Sequence, residues 1–271
     1  MMMQKKVVRL VVVDLDGTLL DRSKVLRDDV KATVARLRRA GVRFSIATGR
    51  TFPSAARYAR ELGLFEPIVA GSGAVIKSAL TGEELGCLVL PRDVATRVLE
   101  ETRGLGVPTY VFTGERILAD RPSSFSPLYA RSLGHPIELS RDILREDLEE
   151  PVMIVLRTTL ARTKEIREEM ARRFGNTVCV TSSAPFFVDF LHPMASKAAG
   201  VEAVARHLGI PRESVMAVGD GLNDMGMLKY AGIGVLVSNA PEDLWPGADY
   251  VTREPFTDGV LEAIRLFVEE A

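Results

Sequence analysis

Two aspartates at the end of a short apolar run are the first residues that could do chemistry. Residues 14–20 read DLDGTLL and follow Leu10–Val13, a run that predicts a strand buried on both faces. Side chains two positions apart on a strand point the same way, so we expect the Asp14 and Asp16 carboxylates to converge. Carboxylates at such a place need a cation or hydrogen-bond donors. The alternative is a pair of solvated acids at a strand exit, where aspartate also favours turns.

A second polar segment has the residue types that hold a phosphate group. Residues 47–50, with the sequence ATGR, follow a predicted strand at residues 42–46. The Thr48 hydroxyl and the backbone N–H of Gly49 are suited to hold a phosphate oxygen, because a glycine lets the backbone approach closely. A Thr-Gly turn is also typical of an ordinary helix N-cap, so both interpretations stay open.

Two further segments late in the chain carry charge. Lys197 follows Ser196 at the start of a predicted helix, and a single lysine is most often a solvated surface charge. Residues 219–224, with the sequence GDGLND, follow an apolar strand. Two acids and an amide within six residues are unusual for a loop with no binding role, so this turn is a candidate site for a cation.

The elements that must position these residues alternate between strands and helices at both ends of the chain. The order near the N-terminus is strand, helix, strand, helix, strand, and the same alternation returns after residue 197. This pattern predicts an α/β fold with a doubly wound parallel sheet built from both chain ends. Open α/β sheets bind ligands at the carboxyl ends of their strands, where all four segments are expected to meet.

The middle of the chain has a different order of predicted elements. Residues 84–187 contain predicted strands and two predicted helices without the regular alternation, and prolines punctuate their centre. We therefore predict an inserted α+β domain at residues 84–187 and a core domain formed by residues 1–83 and 188–271. The chain length of 271 residues agrees with about two domains at roughly 150 residues each.

Composition excludes several classes of protein. The formal net charge is −1, which argues against a binder of nucleic acid or of a membrane surface. No apolar run approaches the roughly 20 residues of a membrane-spanning helix. Cys87 and Cys179 form no metal-ligand or disulfide pattern, and we expect a reducing, cytoplasmic setting.

Taken in order, the four polar segments resemble the four motifs of the haloacid dehalogenase superfamily. The whole chain resembles the Cof-type sugar phosphatases of that superfamily, which insert a cap domain between the second and third motifs. The resemblance implies a Rossmann-like core, a cap of the C2 type, and Mg²⁺-dependent hydrolysis of small phosphate monoesters through an aspartyl-phosphate. The implied partner is a small phosphorylated metabolite, bound by a monomer or homodimer.

The same resemblance assigns catalytic roles to four residues. Asp14 corresponds to the nucleophile, and Asp16 corresponds to the general acid and base. Thr48 belongs to the turn that holds the phosphate, and Lys197 matches the cation that neutralises the nucleophile and the phosphoryl group.

Metal and phosphate contacts are implied for the remaining motif residues. The metal would be held by the carboxylates of Asp14 and Asp220 and by the backbone carbonyl of Asp16. Asp224 is implied as a supporting group. Phosphate or substrate contacts are assigned to four further residues: Leu15, Gly49, Arg50 and Asn223. For Arg50, a salt bridge on the core surface is an equal alternative to a contact with substrate or cap.

The chain departs from the family pattern at Ser72, where an asparagine is usual, and this affects the expected substrate choice. Three rival functions remain at this point. A phosphomutase would share Asp14 and Asp16, whereas a haloacid dehalogenase would not need Asp16 and Asp220 as metal ligands. A non-catalytic sugar-phosphate-binding protein would not need to retain both a nucleophile and its acid.

Overall fold

A computed structural model describes residues 7–113, 116–144 and 150–269. The strands are β1 (Leu10–Val13), β2 (Arg43–Ile46), β3 (Pro67–Ala70), β4 (Val75–Ser78), β5 (Glu84–Cys87), β6 (Thr109–Phe112), β7 (Ile117–Ala119), β8 (Glu138–Leu139), β9 (Met153–Arg157), β10 (Cys179–Thr181), β11 (Phe187–Leu191), β12 (Val215–Gly219), β13 (Ile233–Leu236) and β14 (Tyr250–Val251). The helices are α1 (Asp28–Arg39), α2 (Phe52–Glu61), α3 (Arg92–Arg103), α4 (Ser126–Leu133), α5 (Leu160–Phe174), α6 (Lys197–His207), α7 (Met225–Tyr230) and α8 (Phe256–Ile264).

A five-stranded parallel sheet built from both ends of the chain forms the core, in the order β14-β13-β12-β1-β2. All four residues of β1 are buried, as expected for a central strand covered on both faces. Apolar residues of α1, α2 and α8 pack on one face of this sheet, and those of α6 and α7 pack on the other. The structure confirms the predicted doubly wound α/β fold.

A short antiparallel sheet continues from the core. Strands β3, β4 and β5 form it, and β3 lies beside β2 through a parallel bridge between Ala47 and Val69. The turn after β3 contains Ser72, whose φ of 52° is the left-handed conformation. Asparagine adopts this conformation more readily than serine does, so the family's usual residue would fit the turn with less strain.

A six-stranded sheet is made wholly from the middle of the chain, in the order β10-β11-β9-β6-β7-β8. All its pairings are antiparallel except that of β7 with β8. One face packs against α3 and α5. The other face joins an apolar cluster that includes Ala74 and Ala195 from the core side. We call this sheet with α3, α4 and α5 the inserted unit.

The strands do not follow the predicted domain boundaries. Strand β5 falls within the predicted insertion at residues 84–187, yet it pairs with β4. Strand β11 begins at Phe187 and continues past that boundary within the six-stranded sheet. The division into two domains remains a prediction. The strand pairing favours an insertion that begins after β5 and ends after β11, a few residues later at both ends than predicted.

Across the described ranges of the chain, no helix combines the length and apolar character needed to cross a membrane.

Candidate active site

A buried lysine joins two of the predicted site residues. Lys197 is the first residue of α6, which begins at Ser196, whose hydroxyl accepts a hydrogen bond from the Ala199 N–H. The Lys197 ammonium donates to Asp14 Oδ1 and to Asp224 Oδ1, both at 2.6 Å. Burial opposes the lysine charge, but the attraction of both aspartates outweighs burial and raises the pKa of Lys197 above its ordinary value. The surface-charge alternative for Lys197 is therefore wrong.

Three aspartates surround this lysine. Asp14, Asp220 and Asp224 each offer one carboxylate oxygen, and these oxygens lie within 4.8 Å of one another. Burial, reinforced by repulsion from Asp224, raises the pKa of Asp220 to about 7. Burial also raises the pKa of Asp14 well above its usual value, against the attraction of Lys197. One ammonium cannot neutralise three ionised carboxylates, and the raised pKa values of Asp14 and Asp220 reflect this cost, which a bound cation would offset.

Asp224 differs from the other two aspartates in its hydrogen bonds, because both of its carboxylate oxygens accept from protein donors. Asp224 Oδ2 accepts the backbone N–H groups of Asp220 and Gly221, at 3.0 and 2.9 Å, while its Oδ1 accepts from Lys197. Asp14 and Asp220 each use only Oδ1, the latter with Thr18 Oγ1 at 3.0 Å. Their Oδ2 atoms accept no hydrogen bond from the described residues. Hard carboxylate oxygens of this kind are the ligands that Mg²⁺ takes, so the donor set fits that ion.

Asp16 has partners different from those of Asp14. Strand β1 ends at Val13, so the alternation that predicts convergence of the two carboxylates does not continue to Asp16. Its carboxylate accepts from Arg50, with Nη2 to Oδ1 at 2.7 Å, and pairs with Lys24 at 2.7 Å. Burial favours the neutral acid, but the hydrogen bonds and charge of Arg50 outweigh burial and lower the pKa of Asp16 to about 2.

The Thr48 and Gly49 turn lies at the end of β2, next to the end of β1, since Ala47 N donates to Val13 O at 3.0 Å. Helix α2 begins after Thr51, so Thr48 is not its N-cap, and the helix-cap alternative is wrong. A β-carbon on Gly49 would lie 2.7 Å from the Ser183 β-carbon, which explains the need for glycine there.

Leu15 and Asn223 are placed less directly. The Leu15 side chain is buried in the apolar core, so only its backbone is available to a phosphate group. Asn223 lies in a 3₁₀ turn beside Asp224. Its amide makes no hydrogen bond to the other predicted site residues within the described ranges.

Sequence reasoning missed the roles of Thr18, Gly17 and Lys24. Thr18 donates to Asp220, and Gly17 lets that aspartate approach, because a β-carbon there would lie 2.2 Å from Asp220 Oδ2. The neighbouring Asp-x-Asp-Gly-Thr pattern is the signal that could have identified Gly17 and Thr18. No local pattern marks Lys24, which reaches Asp16 through the fold of a loop.

Comparison with known proteins shows which family the chain matches. A family model for haloacid dehalogenase-like hydrolases matches residues 11–264. A phosphoglycolate phosphatase from Haloarcula marismortui is 32% identical over 253 residues, which cover 93% of this chain and 94% of that protein. A Bacillus subtilis 5-amino-6-(5-phospho-D-ribitylamino)uracil phosphatase is 28% identical and covers 96% of both chains. A solved haloacid dehalogenase-like hydrolase from Bacteroides thetaiotaomicron has a TM-score of 0.82 at 27% identity, covering 95% of this chain and 98% of that one.

Proposed function

The chain belongs to the haloacid dehalogenase-like hydrolases, as a Cof-type member, and from that premise we propose a Mg²⁺-dependent phosphatase that acts on small phosphate monoesters through Asp14. The observation that carries the proposal is the buried Lys197 between Asp14 and Asp224. A lysine at this place offsets negative charge where a phosphoryl group would meet the nucleophile. The two curated relatives described above are both named as phosphatases.

The proposed reaction has two steps on this chain's own residues. A carboxylate oxygen of Asp14 attacks phosphorus, the bond from phosphorus to the ester oxygen breaks, and the leaving alcohol takes a proton. Water then attacks the aspartyl-phosphate, which releases inorganic phosphate and restores the carboxylate. We assign both proton transfers to Asp16, which has to separate from Arg50 whenever it carries the proton. The Thr48 hydroxyl and the Gly49 N–H would orient the phosphoryl oxygens.

The proposed metal site uses the two aspartates with a free carboxylate oxygen, Asp14 and Asp220, together with the Asp16 backbone carbonyl. Asp224 serves as the supporting group, because both its oxygens are already engaged by protein donors. When bound, Mg²⁺ supplies positive charge to the phosphoryl oxygens and offsets the carboxylates.

The inserted unit is the proposed source of substrate selection. Every residue proposed for the chemistry lies in the core, while the inserted unit lies against it through the Ala74 and Ala195 cluster. A unit that covers the site excludes water and adds contacts to the leaving group. The Bacillus subtilis relative is named for a phosphorylated ribityl compound, which supports a hydroxyl-bearing leaving group such as a sugar. A cytoplasmic setting is also proposed, in line with two free cysteines.

A metabolite screen tests this function. Purified protein is incubated with phosphorylated metabolites and Mg²⁺ in the absence of any sugar bisphosphate, and inorganic phosphate is measured. Steady phosphate release that chelation by EDTA stops, and that Asp14→Asn reduces by several orders of magnitude, is expected. Asp28→Asn is the matched control, because its side chain is almost fully exposed. Isomerised ester without phosphate release would identify a phosphomutase, and binding without turnover would identify a binding protein.

A further inference from the structure

An acidic side chain lies on an apolar face of the inserted unit. Asp189 is in the middle of β11 and is fully buried. Its alternate neighbours Phe187 and Leu191 belong to the cluster that faces the core. A carboxylate in such surroundings costs several kcal/mol unless it has polar partners, so its presence requires an explanation.

The hydrogen bonds of Asp189 point to one loop. Its Oδ2 accepts from the backbone N–H of Ser183 at 2.7 Å, and this bond fixes the loop between β10 and β11. Its Oδ1 is buried and has no partner among the described residues. Burial raises the pKa of Asp189 to about 6, against the bond from Ser183 and the attraction of Lys197.

The loop that Asp189 fixes touches the proposed phosphate-binding turn. A β-carbon on Gly49 would lie 2.7 Å from the Ser183 β-carbon and 3.3 Å from Ser72 Oγ. Both serines therefore border the space that a side chain at position 49 would occupy. The buried hydroxyls of Ser72 and Ser182 have no hydrogen-bond partner in the described part of the chain. Ser183 is half-buried, and its hydroxyl also makes no hydrogen bond to the described residues.

Tyr129 is a second polar side chain of the inserted unit. Tyr129 packs its ring against Tyr110 and Phe187, each at 5.2 Å between centroids. Burial raises the pKa of Tyr129 above its ordinary value, and the charges of Asp189, Arg50 and Asp16 all act on it. The inserted unit also brings a polar atom close to Asp16, because the Ser132 carbonyl accepts from Arg50 Nη1 at 2.9 Å and the same guanidinium donates to Asp16.

We propose that Ser183 is a specificity-determining residue whose hydroxyl contacts a hydroxyl group of the leaving alcohol, and that Asp189 is the residue that positions it. Serine hydroxyls both donate and accept, which complements the hydroxyls of a polyol. Ser72 Oγ lies beside the same contact, 3.3 Å from the position of a Gly49 β-carbon. This inference rests on the proposed phosphatase function and adds that selection for polyhydroxylated esters over aryl esters depends on this loop.

The test compares two esters in each variant. The quantity measured is the ratio of kcat/KM for the best polyol phosphate to kcat/KM for p-nitrophenyl phosphate, which has no hydroxyl on its leaving group's ring. Ser183→Ala should lower this ratio roughly 5- to 10-fold, mostly through KM, because one hydrogen bond is lost. Asp189→Leu should lower it by a similar factor. Asp189→Asn should retain most of it, because an amide oxygen still accepts the Ser183 N–H.

Controls and a second readout keep the outcomes distinct. Ser124→Ala, at an exposed serine of the inserted unit, and Asp120→Asn, at an acid that accepts the Thr109 N–H at 2.8 Å, should leave the ratio unchanged. On an Asp14→Asn background, calorimetry should show the same loss of preference in Kd between the two esters. An unchanged ratio in Ser183→Ala, or equal losses for both esters, would overturn the inference. Absence of phosphate release by the wild type would instead overturn the proposed function, and the calorimetric arm would still decide the role of Ser183.

Discussion

The Arg50 guanidinium contacts both carboxylate oxygens of Asp16, through Nη2 to Oδ1 at 2.7 Å and through Nε to Oδ2. The same guanidinium donates through Nη1 to the backbone carbonyl of Ser132 at 2.9 Å, near the end of α4. One buried side chain therefore links Asp16, the proposed general acid, to the inserted unit. The two alternatives for Arg50, a salt bridge and a cap contact, are both present.

Removal of Arg50 tests this link. Arg50→Ala should lower the free energy of unfolding by about 1.5 to 3 kcal/mol, because it removes charge-assisted hydrogen bonds to the partly buried Asp16 carboxylate, which keeps Lys24 as its remaining ionic partner. Arg27 pairs with Asp29 and Asp258 at the surface, so Arg27→Ala should cost less than about 1 kcal/mol. Urea unfolding of both variants measures the difference. Equal costs would show that the Arg50 pair contributes no more than a surface pair.

Metal binding should be visible as stability. Saturating Mg²⁺ is expected to raise the Tm of the wild type by roughly 2 °C or more, and EDTA should reverse the rise. Asp220→Asn should remove most of the Mg²⁺-dependent increment. Asp249→Asn is the matched control, because Asp249 accepts the Gly234 N–H at 2.8 Å away from the acid cluster. An undiminished increment in Asp220→Asn would place the metal elsewhere.

The close contact between Gly49 and Ser183 predicts a double-mutant effect. Gly49→Ala introduces a β-carbon 2.7 Å from that of Ser183, so the inserted unit cannot keep its position over the turn. We expect roughly a tenfold or greater loss of kcat/KM on p-nitrophenyl phosphate. Adding Ser183→Gly removes the clash and should restore part of the loss. Gly86→Ala, where a β-carbon meets nothing within 4 Å, serves as the control. Additive losses in the double variant would contradict the clash.

Asp189 should make stability depend on pH. Burial raises its pKa to about 6, whereas an aspartate in the unfolded chain titrates near 4. Between these values the folded state binds more protons than the unfolded state, so stability falls as pH rises from about 4 through about 6. Lys197, Tyr129 and Cys179 are the ionisable groups that interact with Asp189, and none of them reverses this sign.

The isosteric variant Asp189→Asn isolates this contribution. Its free energy of unfolding, relative to the wild type, should rise between pH 4 and pH 7 by up to about 3 kcal/mol. Urea unfolding over a pH series measures the relative stability. Parallel pH profiles for the two proteins would show that Asp189 titrates normally in the folded state.

Several features could be predicted because they follow from local pattern and topology. The buried run before Asp14, the strand–helix alternation and the position of motif residues at strand ends together predict the parallel sheet and its polar edge. The contact between Lys197 and Asp14 requires α6 to pack on the sheet beside β1, and the doubly wound order of strands and helices places it there.

Other features depend on contacts that no local pattern contains. The sequence pattern does not mark strand β11, because Asp189 interrupts its apolar run, and the hydrogen bond from the Ser183 N–H that partly offsets the burial of this acid comes from a loop. Arg50 could not be paired with Asp16 from sequence, because the contact depends on loop geometry after β1 and on α4 of the inserted unit. Which of Asp220 and Asp224 keeps an oxygen for a metal likewise depends on which carboxylate accepts backbone N–H groups, and the sequence does not show this.

Chemical trapping of the phosphorylated enzyme tests the central claim most directly. The protein is mixed with Mg²⁺ and a substrate, quenched in acid, treated with borohydride, which reduces an acyl phosphate to an alcohol, and digested with trypsin. The peptide of residues 10–22 contains Asp14, Asp16 and Asp21, and fragment masses distinguish them. Conversion of Asp14 alone to homoserine, dependent on substrate and absent in Asp14→Asn, is the predicted result. Turnover without conversion, or conversion at Asp16, would contradict the assignment of Asp14 as the nucleophile.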